Sequence, residues 1–161
     1  MSETSQIPEK SQQFSWMLED AVELLRLQRR YGAMLILLCA VDAIASHCFP
    51  KKGVGERFEE FLKKQMRRSG RAQIHNIFVP SKNELFSFEK ILYKYLRNPV
   101  VHEGAQLELD HPKNYTVQID WTEIPRGIRV DNDNNRLVLG GELIIDILLD
   151  AVINGLEEIN K

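Results

Sequence analysis

The sequence predicts a mainly α fold: a helical bundle with a small antiparallel β insertion and a C-terminal helix. Three observations lead there. Apolar residues recur at helical intervals through the first hundred positions. After Gly104 that period gives way to alternation, in which Tyr115, Val117, Ile119 and Trp121 interleave with Thr116, Gln118, Asp120 and Thr122. Gly140-Gly141 then leads into a last helical stretch at 142–159. With 161 residues and no long linker, the expectation is one domain, 1–161, large enough to bury a core without disulfide or metal staples. Within it, 14–104 forms the helical core, 113–140 the β insertion and 142–159 the closing helix.

The first helix is expected from Gln13 to about Arg30. Trp16, Met17, Ala21, Leu24, Leu25 and Gln28 line one face, while Glu19, Asp20, Glu23 and Arg26 fill much of the other. Gly32 reads as the turn into a second helix at 33–47. That helix is apolar nearly all round, which assigns it the centre of a bundle. Pro50 and Lys51-Lys52-Gly53 stop it. A third helix, 54–68, puts Val54, Phe58, Phe61, Leu62, Gln65 and Met66 together, and Gly70 follows as its stop.

Residues 70–83 read as a loop with a short apolar piece at 74–79. The Ser81-Lys82-Asn83-Glu84 spacing predicts a capping box, so the fourth helix is expected to start at 81–84 and to carry Leu85, Phe88, Ile91, Leu92 and Tyr95. Ile128 and Val130, then Leu137 and Leu139, flank an Asx-rich turn at 131–135 and read as a β-hairpin. That turn has calcium-loop spacing except that Arg136 stands where glycine is needed. A hairpin turn explains it better.

The net charge of −2 conceals a division: +5 over residues 1–102 and −7 over 103–161. A basic part permits polyanion binding, but an acidic remainder argues against a basic coat, and nothing signals DNA in particular. Cys39 and Cys48 show neither metal spacing nor disulfide density, which suggests a reduced, cytoplasmic setting. The polar N-terminus lacks the order of a signal peptide. The longest apolar run, 33–41, is nine residues, about half of the ~18 that span a bilayer, so a soluble chain is expected. The four histidines and two cysteines lack zinc spacing, and no cofactor is expected.

Chemistry concentrates in Arg97-Asn98-Pro99-Val100-Val101-His102. An imidazole titrating near neutrality can take and return protons. A guanidinium can hold a phosphate bidentately and stabilise charge developing on it. Together they suit attack of an RNA 2′-hydroxyl on the neighbouring phosphate. On an ideal helix Asn98 and His102 share a face, whereas Arg97 and His102 lie about 140° apart. The plain alternative is that Arg97 caps helix carbonyls and His102 lies on the surface. Asp42, inside an apolar run, must pair if buried. Its partner is either structural or one of Arg97 and His102, and the sequence leaves both open.

The end of a run of eight cations beginning at Lys51, from Lys63 to Arg71, reads as unopposed, and its Lys63, Lys64, Arg67 and Arg68 could follow an RNA backbone. The first two turns of that run are better explained by i, i+4 pairs such as Glu59–Lys63 and Glu60–Lys64.

Arg97-Asn98-x3-His102 resembles the Arg-x4–6-His motif of the HEPN family, including the polar residue after arginine that its ribonuclease members often carry. The likeness extends upstream to Ala21-Val22-Glu23-Leu24-Leu25, Tyr31-Gly32-Ala33 and Ala40-Val41-Asp42-Ala43-Ile44-Ala45, covering 14–104 in general architecture. The strands lie outside that family's minimal core. The resemblance implies a HEPN-like bundle that forms homodimers, with Arg97 and His102 of two protomers building one composite site. Arg97 would bind the scissile phosphate, His102 would transfer protons, Asn98 would orient phosphate or imidazole, and Asp42 would support them. Many such proteins are metal-independent endoribonucleases in toxin–antitoxin or defence systems, with an antitoxin-like partner. Others are non-catalytic RNA- or nucleotide-binding, or protein-interaction, modules, so fold kinship does not settle catalysis.

Overall fold

The computed structural model describes residues 9–71, 76–79, 84–97, 116–122, 127–131, 133–134 and 136–161. Among these residues the chain is mainly helical with two small sheets. Helix α1 (Lys10–Arg26) is followed by α2 (Arg30–Cys48) and α3 (Val54–Arg68). Strands β1 (Ile77–Val79) and β2 (Glu84–Phe86) precede α4 (Phe88–Ile91), which runs on directly as a π-helical segment, Leu92–Arg97. Strands β3 (Thr116–Asp120), β4 (Ile128–Asp131) and β5 (Arg136–Gly140) lead into α5 (Gly141–Ile159).

Helix α2 is the axis of the bundle. Its Ala33, Met34, Leu37, Leu38, Ala40, Val41, Ile44 and Ala45 are buried, packed among α1, α3 and α5. By length and composition α2 could also cross a membrane, with a mean hydropathy of 1.6. Such composition suits a helix whose neighbours cover it on several sides. Helix α5 belongs to the same core: Ile144, Ile147, Leu148, Ala151 and Val152 pack against α2, α3 and α1.

The turn between α1 and α2 lies at Leu27–Arg29 rather than at Gly32, which sits inside α2. Gln28 adopts φ 59°, and its N–H and that of Arg29 donate to Leu25 and Leu24 carbonyls at 3.0 and 2.8 Å. This is a Schellman motif built without glycine, so glycine position alone could not locate it. On α1, Met17, Ala21 and Leu25 face the core as expected, joined by Phe14, whereas Trp16 is 47% exposed and falls off that face. Helix α3 ends in the same motif, with Gly70 at φ 71° and N–H bonds from Gly70 and Arg71 to Arg67 and Met66. Left-handed backbone favours glycine there.

The fourth helix starts later than expected. Glu84 belongs to β2, and the cap is Ser87, whose Oγ accepts from the Lys90 N–H at 3.2 Å. The capping-box spacing at 81–84 misleads because Leu85 and Phe86 alternate out and in as strand residues. Phe78 pairs with exposed Leu85, and Ile77 with buried Phe86.

The hairpin β4–β5 forms as expected, with Ile128 opposite Leu139 and Val130 opposite Leu137. The third strand corrects the antiparallel expectation. β5 is central, and β3 runs parallel to it, Val117 opposite Leu137 and Ile119 opposite Leu139. Alternation fixes which face is buried, not which strand is the neighbour. Trp121, just past β3, anchors the sheet to the bundle by lying against Gly141 and beside Arg30, whose guanidinium carbon is 5.9 Å from the ring centre.

Candidate functional site

Asp42 lies midway along α2, where apolar residues surround it. Arg97 ends the π segment, a position where cationic charge suits the negative end of a helix. The segment brings the two together: Arg97 Nη2 donates to Asp42 Oδ2 at 2.6 Å. Their side chains are only 11% and 18% exposed. A carboxylate in such surroundings would be costly unpaired, and the guanidinium compensates it. Asp42 Oδ1 is buried without a hydrogen-bond partner among the described residues, so an acceptor remains available beside the pair.

Two further residues complete this corner. The Tyr93 ring, four positions before Arg97, lies 5.7 Å from the guanidinium carbon and stacks at a tilt on Phe58 of α3, centres 5.4 Å apart. Cys39 sits three residues before Asp42. Burial pushes its thiol above the ordinary range, the Arg97 charge draws it down, and the Asp42 charge adds to the rise, so the thiol keeps its proton at neutral pH. The sequence signals for both were i, i+4 and i, i+3 spacings to the residues already singled out.

Of the motif residues, Arg97 and Asp42 are thus in contact, while Asn98 and His102 lie outside the described residues. The basic end of α3 differs from the expectation. Lys64 donates to Glu158 at 2.8 Å, and Arg68 pairs with Glu157 and Glu158 and donates to the Asn154 carbonyl at 3.1 Å. Arg71 pairs with Asp150 at 2.8 Å. These cations are therefore opposed, by α5 acids some ninety positions away that neighbour spacing cannot reveal. Lys63 and Arg67 remain exposed. On the first turns, Glu60 pairs with Lys52 rather than Lys64.

The sheet offers a second polar surface, an open depression lined by Gln118, Asp120, Arg129, Asp131, Asp133 and Arg136. Asp131 is committed to the hairpin turn. It accepts from the Asn134 backbone and side chain and from Arg136, and hydrogen bonds from these two residues hold its carboxyl down at about 2. Its oxygens face donors, which explains why the calcium-like spacing makes a turn. Among the described residues no three His, Cys, Asp or Glu side chains gather as a metal would require.

No curated protein and no solved structure matches the chain. One family model, Rv1289, does match, over residues 15–160. That span begins in α1 and ends just past the closing helix, taking in the Asp42–Arg97 corner and both sheets, so the chain belongs to the Rv1289 family.

Proposed function

We propose that this protein is a HEPN-like, metal-independent endoribonuclease of the cytoplasm, with a composite Arg97/His102 site formed across a homodimer. The observation that carries the reading is the sheltered Asp42–Arg97 pair, which fixes the arginine of the Arg97-Asn98-x3-His102 motif at a helix end. A guanidinium held this way is pre-organised, so little reorganisation is needed when charge develops on a phosphate. His102 takes the 2′-hydroxyl proton or returns one to the leaving oxygen, and Asn98 orients one of them. Asp42 Oδ1 offers an acceptor to an imidazole N–H or a substrate hydroxyl. Backbone contact with RNA falls to Lys63 and Arg67, since Lys64 and Arg68 are engaged by α5. An antitoxin-like protein is the partner this reading calls for.

A second reading is the same fold as a non-catalytic RNA- or nucleotide-binding, or protein-interaction, module. It is favoured by the small exposure of Arg97, 11%, with its charge already met by a carboxylate. Incubation with single-stranded RNA in EDTA separates them, using wild type, His102→Ala and Arg97→Ala, each checked for folding by circular dichroism. The ribonuclease reading expects cleavage by wild type alone. Equal cleavage by all three, or by none, would sink it.

A further inference from the structure

Gly55 is the second residue of α3, where alanine would serve the helix better. Space explains the glycine. A Cβ there would stand 2.8 Å from Tyr93 Cε1, 3.2 Å from Cζ and 3.4 Å from Cδ1, so the ring lies directly on bare backbone. Phe58, one turn further along α3, supports the same ring at 5.4 Å between centres. The ring in turn lies 5.7 Å from the Arg97 guanidinium carbon. An aromatic face attracts a cation through its quadrupole, and more so where water is sparse. Arg97 is therefore gripped from two elements: Asp42 on α2 takes one guanidinium nitrogen, and the Tyr93 ring, seated on α3, flanks the group.

We propose that Tyr93 is a positioning residue for Arg97, and that Gly55 exists to let it be one. The inference deepens the ribonuclease reading and rests on it for the activity readout alone. The seat of the ring sets where the guanidinium sits relative to Asp42, and so where a phosphate oxygen would meet it. The chain Gly55–Tyr93–Arg97–Asp42 ties α3 and α2 to the end of the π segment, and moving its first link moves its third. A Cβ at Gly55 meets the far end of a side chain rather than backbone, so the ring yields and the helix stays. Gly55→Ala is thus a small displacement applied to Arg97 from outside the motif.

The test uses Gly55→Ala, Tyr93→Leu and Tyr93→Phe in the full chain. Phenylglyoxal labels guanidinium groups, and peptide mass spectrometry reads the rate at Arg97, with Arg26 as an exposed internal reference. Gly55→Ala should melt no lower than wild type while Arg97 labels several-fold faster. Tyr93→Leu should label faster still. Tyr93→Phe keeps the ring and should keep the wild-type labelling rate. On RNA, Gly55→Ala should lower kcat about tenfold and leave KM within about twofold, the pattern of a displaced catalytic group. Wild-type labelling of Arg97 in Gly55→Ala would overturn the proposal. Should wild type fail to cleave RNA while labelling still responds to Gly55→Ala, the ribonuclease reading falls and the positioning role stands.

Discussion

Among the described residues ion pairs join helices in several places, Arg30 to Glu142 among them, and two of these places differ in how much water they keep. Between α3 and α5, Lys64, Arg68 and Arg71 face Glu158, Glu157 and Asp150, and most of these side chains are about a third to a half exposed. Glu158 alone serves Lys64, Gln65 and Arg68. Between α2 and the π segment Arg97 pairs with Asp42, at 11% and 18% exposure. In the first place water and neighbouring charges can replace any lost partner, so each pair contributes little. In the second, removal of one group strands the other. A shared, wet network tolerates small movements, whereas a sheltered pair specifies one geometry. The second is the arrangement a phosphate-handling arginine needs.

The largest expected effect comes from breaking the sheltered pair. Asp42→Ala should cost about 3 kcal/mol in urea denaturation, because Arg97 is left without its carboxylate in a poorly hydrated place. A loss no larger than that of Glu158→Ala would erase the distinction between the two regions. Next, Gly155→Ala probes what really joins α3 to α5. Its Cβ would stand 2.7 Å from Phe61 Cζ and 2.8 Å from Ile44 Cγ2, both fully buried. Overpacking there should cost about 1–3 kcal/mol, more than any single charge on the same interface.

Glu158→Gln should cost under about 1 kcal/mol, and less in high salt. Burial pushes the Glu158 carboxyl up, but hydrogen bonds from Lys64 and Gln65, with the charges of Lys64 and Arg68, hold it below the ordinary range. The folded state therefore releases that proton more readily than the unfolded chain. Its stabilisation is present above the ordinary carboxylate pKa and is lost as pH falls through the lowered one. Acid titration of stability should be shallower in Glu158→Gln. The smallest effect has the opposite sign. Glu59 is pushed up by burial, with Lys90 drawing it down and Glu89 pushing it further up. Its folded form favours the proton, so stability falls as pH rises from the ordinary value through the raised one. Glu59→Gln should raise Tm slightly at neutral pH and not at pH 4.

How much of this could be read in advance varies with the distance over which each signal acts. The bounds of α3 follow from Val54 and Gly70, and β4–β5 from its Asx turn, because the residues responsible are local. The β1–β2 hairpin and the late start of α4 were hidden, since a three-residue strand is too short to show a period. At the site, the cost of a carboxylate in an apolar helix pointed to Asp42, and Arg97 proved to be its partner. The opposition of Lys64 and Arg68 was not legible from α3 itself. Its trace was the +5 and −7 division, which the structure resolves in part into a basic α3 lying against an acidic end of α5.

The π segment puts a constraint on length as well as on composition. Leu92–Arg97 holds about one residue more than the same arc of α-helix would, and with that extra residue taken up in the wide turn Arg97 faces Asp42. Deleting one residue there would let the turn close as ordinary α-helix with Arg97 facing much the same way, whereas adding one would swing the guanidinium about 100° round the axis. Every side chain of the corner could survive such an insertion and the corner would still be lost. Gain of a single codon in this stretch would therefore separate Arg97 from its carboxylate as surely as a substitution at either position, while loss of one would be absorbed.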